Sequence, residues 1–396
     1  MQYLRSKVTI WNPLAAIFLF LVHASPLVAQ SGTTIPLASS FSMHSRILDE
    51  DRTIVVALPN GYESSTASYP VLYLLDGMQN IWHVAGSVEV LARTGAIPPV
   101  IIVGIKSENR MRDFTPSPAE GVPYSGGGEM FLEFISRELI PFIEGNYRTH
   151  PYRLLEGHSL AGVFAVNAFM ERTELFDAYI VMSPAMWWNN EEMKTKAKAF
   201  FETNTELDKS IYFGIGTDDG QGMRNELNRY VEIIQQNSAN GLRWSHREFE
   251  QEGHMSATLL INYYGLIFSF YTMQLPEQLW NNFDRESFIE HERMVMETYG
   301  EAAKQSEENY VTLGLKLVEE GNHEGAITVF KRNTEAYPIY PPNFAWLADA
   351  YENNSDYSMA LETYSLALDK SKAINYGQEQ NYIENIERLS KIVESN

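Results

Sequence analysis

The segment Gly157-His158-Ser159-Leu160-Ala161-Gly162 constrains this chain more than any other. It reads G-x-S-x-A-G, a G-x-S-x-G pattern with Ala161 in place of the second glycine and Gly162 one position later, and stands between two opposite kinds of local structure. Before it, Tyr152-Arg153-Leu154-Leu155 has the character of a strand; after it, Val163–Met170 has the character of a helix. A serine where a strand turns directly into a helix sits on a sharp, strained bend, and side chains two residues to either side would crowd that bend. Gly157 and the small Ala161 at those two positions, with Gly162 next, limit the crowding. The hydroxyl is then lifted clear of the sheet, and the next backbone N–H points at any oxyanion that forms beside it.

A serine hydroxyl is a weak nucleophile unless a base takes its proton and an acid orients the base. With the serine on such a turn, acid and base are expected later in the chain, in loops beyond subsequent strands. Ile211–Gly216 reads as a short buried strand, and Thr217-Asp218-Asp219-Gly220 as the loop at its end. Arg243–Phe249 alternates as a strand does, and Glu252-Gly253-His254-Met255 follows as a loop ahead of an apolar helix. The reading is Ser159 as nucleophile, Asp219 as acid and His254 as base. Asp218 competes with Asp219, since spacing does not separate neighbours. His158 adjoins the serine but points the wrong way round the turn to act as its base. His83, His150, His246 and His291 have no partner pattern.

Further strand-like runs fall at Thr53–Leu58, Val71–Leu75, Val100–Ile105, Arg153–Leu155 and Ala178–Met182, with helical stretches such as Glu129–Phe142 and Arg224–Asn237 between them. Alternation of this kind implies an α/β fold, a mostly parallel sheet covered by helices on both faces. Pro116, Pro118, Pro123 and Gly126-Gly127-Gly128 mark a long loop near the mouth of the site. That glycine triplet lacks a preceding strand and a helix-opening lysine, so it is not read as a phosphate cradle.

The C-terminal third follows a different rule. Tyr310 recurs as Phe344, Leu313 as Leu347, Gly314 as Ala348, Ala326 as Ala360 and Phe330 as Tyr364. Each offset equals the period of a tetratricopeptide repeat, about 34 residues. The expected organisation is a signal peptide over 1–29, an α/β region over 30–275, a helical linker over 276–305 and a small all-α, tetratricopeptide-like domain over 306–396. Residues 373–396 read as its polar-faced capping helix.

The segment 38–275 resembles the putative esterase family of α/β-hydrolases, which includes enterochelin-type, feruloyl and acetyl xylan esterases and the antigen 85 mycolyltransferases. Beyond the serine turn, the resemblance rests on several stretches. They are Val71-Leu72-Tyr73-Leu74-Leu75-Asp76-Gly77, Arg112-Asp113-Phe114-Thr115-Pro116, Phe131–Thr149 and Ser183-Pro184-Ala185-Met186-Trp187-Trp188. It implies an α/β-hydrolase fold and a carboxylic-ester hydrolase needing no metal or organic cofactor. By position, it implies an oxyanion hole made by the backbone amides of Met78 and Leu160. Phe114, Trp187 and Trp188, with Trp82, are rigid apolar surfaces in loops after strands. The first three are expected to bind substrate and to favour aromatic or cyclic esters.

Composition narrows the setting. The formal charge of −21 disfavours nucleic acid and anionic membranes as partners. The absence of cysteine removes thiolate metal sites, a cysteine nucleophile and a lipoprotein anchor. Arg5 and Lys7 ahead of the apolar run Leu14–Val22, then Leu27-Val28-Ala29, read as a cleaved signal peptide, so the protein is expected to be exported. The expected partner is a small-molecule ester, with a protein or peptide partner, or self-association, through the repeats. Two rival readings are an acyltransferase and a non-catalytic scaffold. An intact Ser, acid and His in order argue against the scaffold.

Overall fold

A computed structural model describes residues 37–237 and 239–395, so the N-terminal run read as an export signal lies outside the described residues. Strands β1 (Ser39–Ser45), β2 (Glu50–Ala57), β3 (Tyr69–Leu75), β4 (Ile101–Ile105), β5 (Thr149–His158), β6 (Ala178–Met182), β7 (Ser210–Gly216) and β8 (Arg243–Phe249) form one sheet. Its order is β1-β2-β4-β3-β5-β6-β7-β8. β2 pairs antiparallel with β1 and β4, and every other pairing is parallel. The sequence reading missed β1. Its residues, SSFSMHS, are mostly exposed at the sheet edge, where little apolar surface is needed.

The helices of this region are α1 (Gly77–Arg93), α2 (Arg110–Asp113), α3 (Gly128–Phe134), α4 (Ile140–Asn146), α5 (Leu160–Glu171), α6 (Trp188–Thr203), α7 (Gln221–Asn237), α8 (Ala257–Ser269), α9 (Glu277–Asn281) and α10 (Arg285–Tyr299). The single helix expected at Glu129–Phe142 is α3 and α4 joined by a π-helical turn, Ile135–Leu139. Pro141, in the first turn of α4, has no N–H to give back to that turn, which accounts for the break in regular helix there. Side chains of α3 to α7 cover one face of the sheet, and those of α1, α8 and α10 cover the other. Covering both faces explains why β3 is buried at every residue and reads as a continuous apolar run rather than an alternating one.

Ionisable residues are also buried in that interior. Glu156 of β5 is fully buried, and both its carboxylate oxygens accept from Asn262 Nδ2 of α8, at 3.0 and 2.8 Å. Burial pushes its carboxyl up to about 8 from an ordinary 4.5. Between those two values the unfolded chain has released a proton that the fold retains. Stability contributed at this site is therefore lost as pH rises, by about 1.4 kcal/mol per pH unit in that window. Glu156→Gln keeps the shape and removes the proton. Its stability relative to wild type should be near zero at pH 5 and higher by on the order of 4 kcal/mol at pH 8. Urea midpoints of both proteins across that range test this; a difference independent of pH contradicts it.

The C-terminal region is all-helical: α11 (Glu307–Glu319), α12 (His323–Ala336), α13 (Pro341–Asn353), α14 (Tyr357–Ile374) and α15 (Glu379–Ser395), each packed on the next. Tyr310, Leu313, Ala326, Phe330, Leu347, Ala348, Ala360 and Tyr364 are all buried in one core. A side chain at Gly314 would collide with the Phe330 ring, its Cβ falling 2.4 Å from Cζ. The segment 276–305 is shared by both regions. Leu279 and Phe288 join the C-terminal core, whereas Val295 and Tyr299 join the sheet core, where Tyr299 meets Tyr152 edge-on at 4.9 Å. Glu292, between them, accepts from Tyr310 Oη at 2.6 Å and from Arg332 Nε at 2.7 Å, tying α10 to α11 and α12.

Candidate active site

β5 ends at His158 and α5 begins at Leu160, so Ser159 alone makes the turn between them. Its backbone has φ 61° and ψ −119°, a conformation that costs a non-glycine residue about 1–3 kcal/mol. Surrounding bonds hold it there. Ser159 N–H donates to Met182 C=O at 3.0 Å, and Ser159 C=O accepts from Ala185 N–H at 3.1 Å. A Cβ on Gly157 would lie 2.3 Å from the Ala161 carbonyl oxygen, and one on Gly162 would lie 3.0 Å from Pro184 Cβ. Gly157 is therefore demanded by close approach, and at Gly162, three residues after the serine, a side chain would press on Pro184.

The loops after β7 and β8 are laced together beside this turn. A Cβ on Gly216 would lie 2.0 Å from the Glu252 carbonyl oxygen. Thr217 N–H donates to Phe249 C=O and Asp218 N–H to Glu252 C=O, both at 2.9 Å. Asp219 and His254 meet across this seam, with Nδ1 of the histidine 2.6 Å from Oδ1 of the aspartate. The aspartate side chain is buried and the histidine about one third exposed, 2% against 36%. Asp218 faces solvent, and its carboxylate reaches only Thr217 Oγ1, at 3.4 Å. Ser159 is half-buried, and its hydroxyl forms no hydrogen bond among the described residues. Nucleophile–base contacts in ligand-free hydrolases are often long and close when substrate binds.

The two backbone amides expected to form the oxyanion hole, Met78 N–H in the first turn of α1 and Leu160 N–H at the start of α5, are not spent on backbone carbonyls among the described residues. The segment carrying Met78 is fixed by close packing: a Cβ on Gly77 would lie 2.4 Å from Gly104 Cα of β4. Asp76, just before it, is left-handed at φ 52°. Its carboxylate accepts from Arg110 Nε at 3.1 and 3.0 Å. Arg110 also donates, through Nη2, to the His158 carbonyl at 3.4 Å. Desolvation by burial, only partly offset by that guanidinium, holds the Asp76 carboxyl above its ordinary value.

The aromatic set expected to bind substrate divides. Trp187 is half-exposed at 48%, in the loop whose Ala185 bonds Ser159, and its Nε1–H donates to Met223 Sδ at 3.1 Å. Phe114 and Trp188 are corrections: both lie in the core, at 0% and 3% exposure. Phe114 fills the space against Phe131 and Phe164, with centroids 5.7 and 6.0 Å away, and has no surface left for a ligand. Trp82 is 72% exposed on α1. Residues that sequence reasoning passed over are Arg110 and Met223, and it took His158 no further than setting it aside as a base. Arg110 precedes the Arg112-Asp113-Phe114 stretch and carried a signal in its charge. Met223 carried none.

The family model described as putative esterase matches residues 45–257, a span that holds Met78, Ser159, Leu160, Asp219 and His254. The chain is 30% identical over 251 residues to the ferri-bacillibactin esterase BesA of Bacillus subtilis, covering 56% of this chain and 86% of that one. It is 29% identical over 192 residues to a siderophore triacetylfusarinine C esterase of Aspergillus fumigatus, covering 43% of this chain and 64% of that one. Among solved structures, an IroE-like serine hydrolase from Shewanella oneidensis is similar with a TM-score of 0.64 and 26% identity, over 75% of this chain and 99% of that one.

Proposed function

The chain belongs to the putative esterase family, and from that premise we propose that it hydrolyses an ester bond of a siderophore through an acyl-enzyme on Ser159. The observation that carries the reading is the 2.6 Å contact of His254 Nδ1 with Asp219 beside a serine on a strained strand-to-helix turn. In the reaction His254 Nε2 takes the Ser159 hydroxyl proton as Oγ attacks the ester carbonyl carbon. Asp219 holds the Nδ1–H tautomer and stabilises the imidazolium. The amides of Met78 and Leu160 receive the oxyanion; loss of one such donor costs about 3–4 kcal/mol of transition-state stabilisation. The carbon–oxygen bond to the alcohol breaks, and the alcohol leaves with the proton from His254. Water, deprotonated by the same imidazole, then releases the acid.

The siderophore assignment is supported by what the two curated relatives are named for hydrolysing and by a half-exposed tryptophan close to the turn. Its test is kcat/KM for an ester-linked siderophore against p-nitrophenyl acetate, with Ser159→Ala as the blank. The siderophore should be preferred by at least about tenfold; a preference for the simple acetate contradicts it. Trp187→Ala should raise KM for the siderophore several-fold and leave the acetate unaffected. An equal loss on both substrates with a lower Tm makes Trp187 structural instead.

The same proposal takes 30–275 as the catalytic region and 306–396 as two tetratricopeptide-like repeats closed by a cap, offering a protein or peptide partner a surface. It takes the basic and apolar N-terminal run over 1–29 as a signal for export. The five 34-residue recurrences and the burial of their residues in one core support the repeat reading.

A further inference from the structure

His158 is the last residue of β5, in register with Met182 of the neighbouring β6, so its backbone is as rigid as the sheet. Its side chain is buried, and Nε2 lies 2.8 Å from the backbone carbonyl oxygen of His254. A carbonyl only accepts, so Nε2 carries the hydrogen and the neutral ring has one defined tautomer. The two imidazole rings also pack against each other, with centroids 4.4 Å apart and planes inclined at 46°. Through its own carbonyl, His158 accepts from Arg110, which in turn holds the Asp76 carboxylate ahead of Met78. One residue thus touches the loop of the base directly and the oxyanion segment through a single guanidinium.

We infer that His158 is a positioning residue for this hydrolase: its Nε2–H bond to the His254 carbonyl fixes the base relative to the serine one residue away. This rests on His254 being the base. Asp219 restrains that imidazole at Nδ1, and the backbone bonds lacing its loop to the loop after β7 stop at Glu252, two residues before the base. The bond from His158 supplies the second point of restraint, and it runs from the strand that also bears Ser159. Base and nucleophile then ride on one rigid element. Burial, with the neighbouring His254 second, lowers the His158 imidazole to about 4, so the ring stays neutral while His254 cycles through its cation beside it.

Two substitutions separate positioning from packing. His158→Phe fills the volume without a donor, and His158→Gln returns an N–H to the same neighbourhood. With a soluble ester, His158→Phe should lower kcat by about 30-fold with KM within about two-fold, since small displacements of a catalytic group cost up to 10²-fold. The rate of Ser159 labelling by a fluorophosphonate should fall in parallel. His158→Gln should recover kcat to within about three-fold of wild type. A folded His158→Phe with unchanged kcat overturns the inference. So does a common fall of kcat and Tm in both variants, which would make the residue a packing element. His254→Ala is measured alongside: if it retains activity, the reading of His254 as base fails, whereas an inactive His254→Ala with a fully active His158→Phe removes only the positioning role.

Discussion

Ser159→Ala should reduce hydrolysis of both siderophore and simple esters by about 10⁴-fold to 10⁶-fold, the range in which loss of a nucleophile leaves only binding and oxyanion stabilisation. The fold should be nearly indifferent. The hydroxyl is half-buried and forms no hydrogen bond among the described residues, while the turn is held by backbone bonds to Met182 and Ala185 that alanine keeps. Stopped assays over hours, with the same preparation melted by circular dichroism, give both numbers. Residual activity within about tenfold of wild type assigns the chemistry to another group.

Asp219→Asn should lower kcat by about 10³-fold to 10⁴-fold, because an amide at this position favours the wrong histidine tautomer. Asp218→Asn should change kcat by less than about two-fold, its carboxylate being exposed and turned to Thr217. The two substitutions remove the same charge from adjacent residues, so general electrostatics is matched and only contact with His254 Nδ1 differs. The reverse ranking transfers the role to Asp218. Near-neutral behaviour of both means that Ser159 and His254 work as a dyad.

Legibility in the sequence followed the strength of the local constraint. The serine turn was readable because a side chain at Gly157 would collide with Ala161 and one at Gly162 would press on Pro184, so the small residues around Ser159 record a geometry. The central parallel strands β3, β6 and β7 were readable because burial on both faces enforces continuous apolar runs. The choice between Asp218 and Asp219 was not, because it depends on which way a single residue faces across a seam between two loops joined only in three dimensions. Phe114 and Trp188 misled for a related reason. A large aromatic ring after a strand serves a pocket or a core equally well, and only the packing partners, such as Phe131 and Phe164, decide which. Edge strand β1 escaped because serines replace the apolar alternation that a more buried strand requires. Arg110 was legible as a charge but not as a brace, since its partners Asp76 and His158 lie 34 and 48 residues away.

The central claim is that Ser159, activated beside His254 and Asp219, forms a covalent acyl intermediate. Treatment with an aryl fluorophosphonate, followed by intact-mass measurement and peptide mapping, tests it most directly. The account predicts a single stoichiometric adduct on Ser159, slowed strongly in Asp219→Asn, nearly unaffected in Asp218→Asn and absent in Ser159→Ala. No adduct in the folded wild-type protein, or an adduct on a different residue, would contradict it.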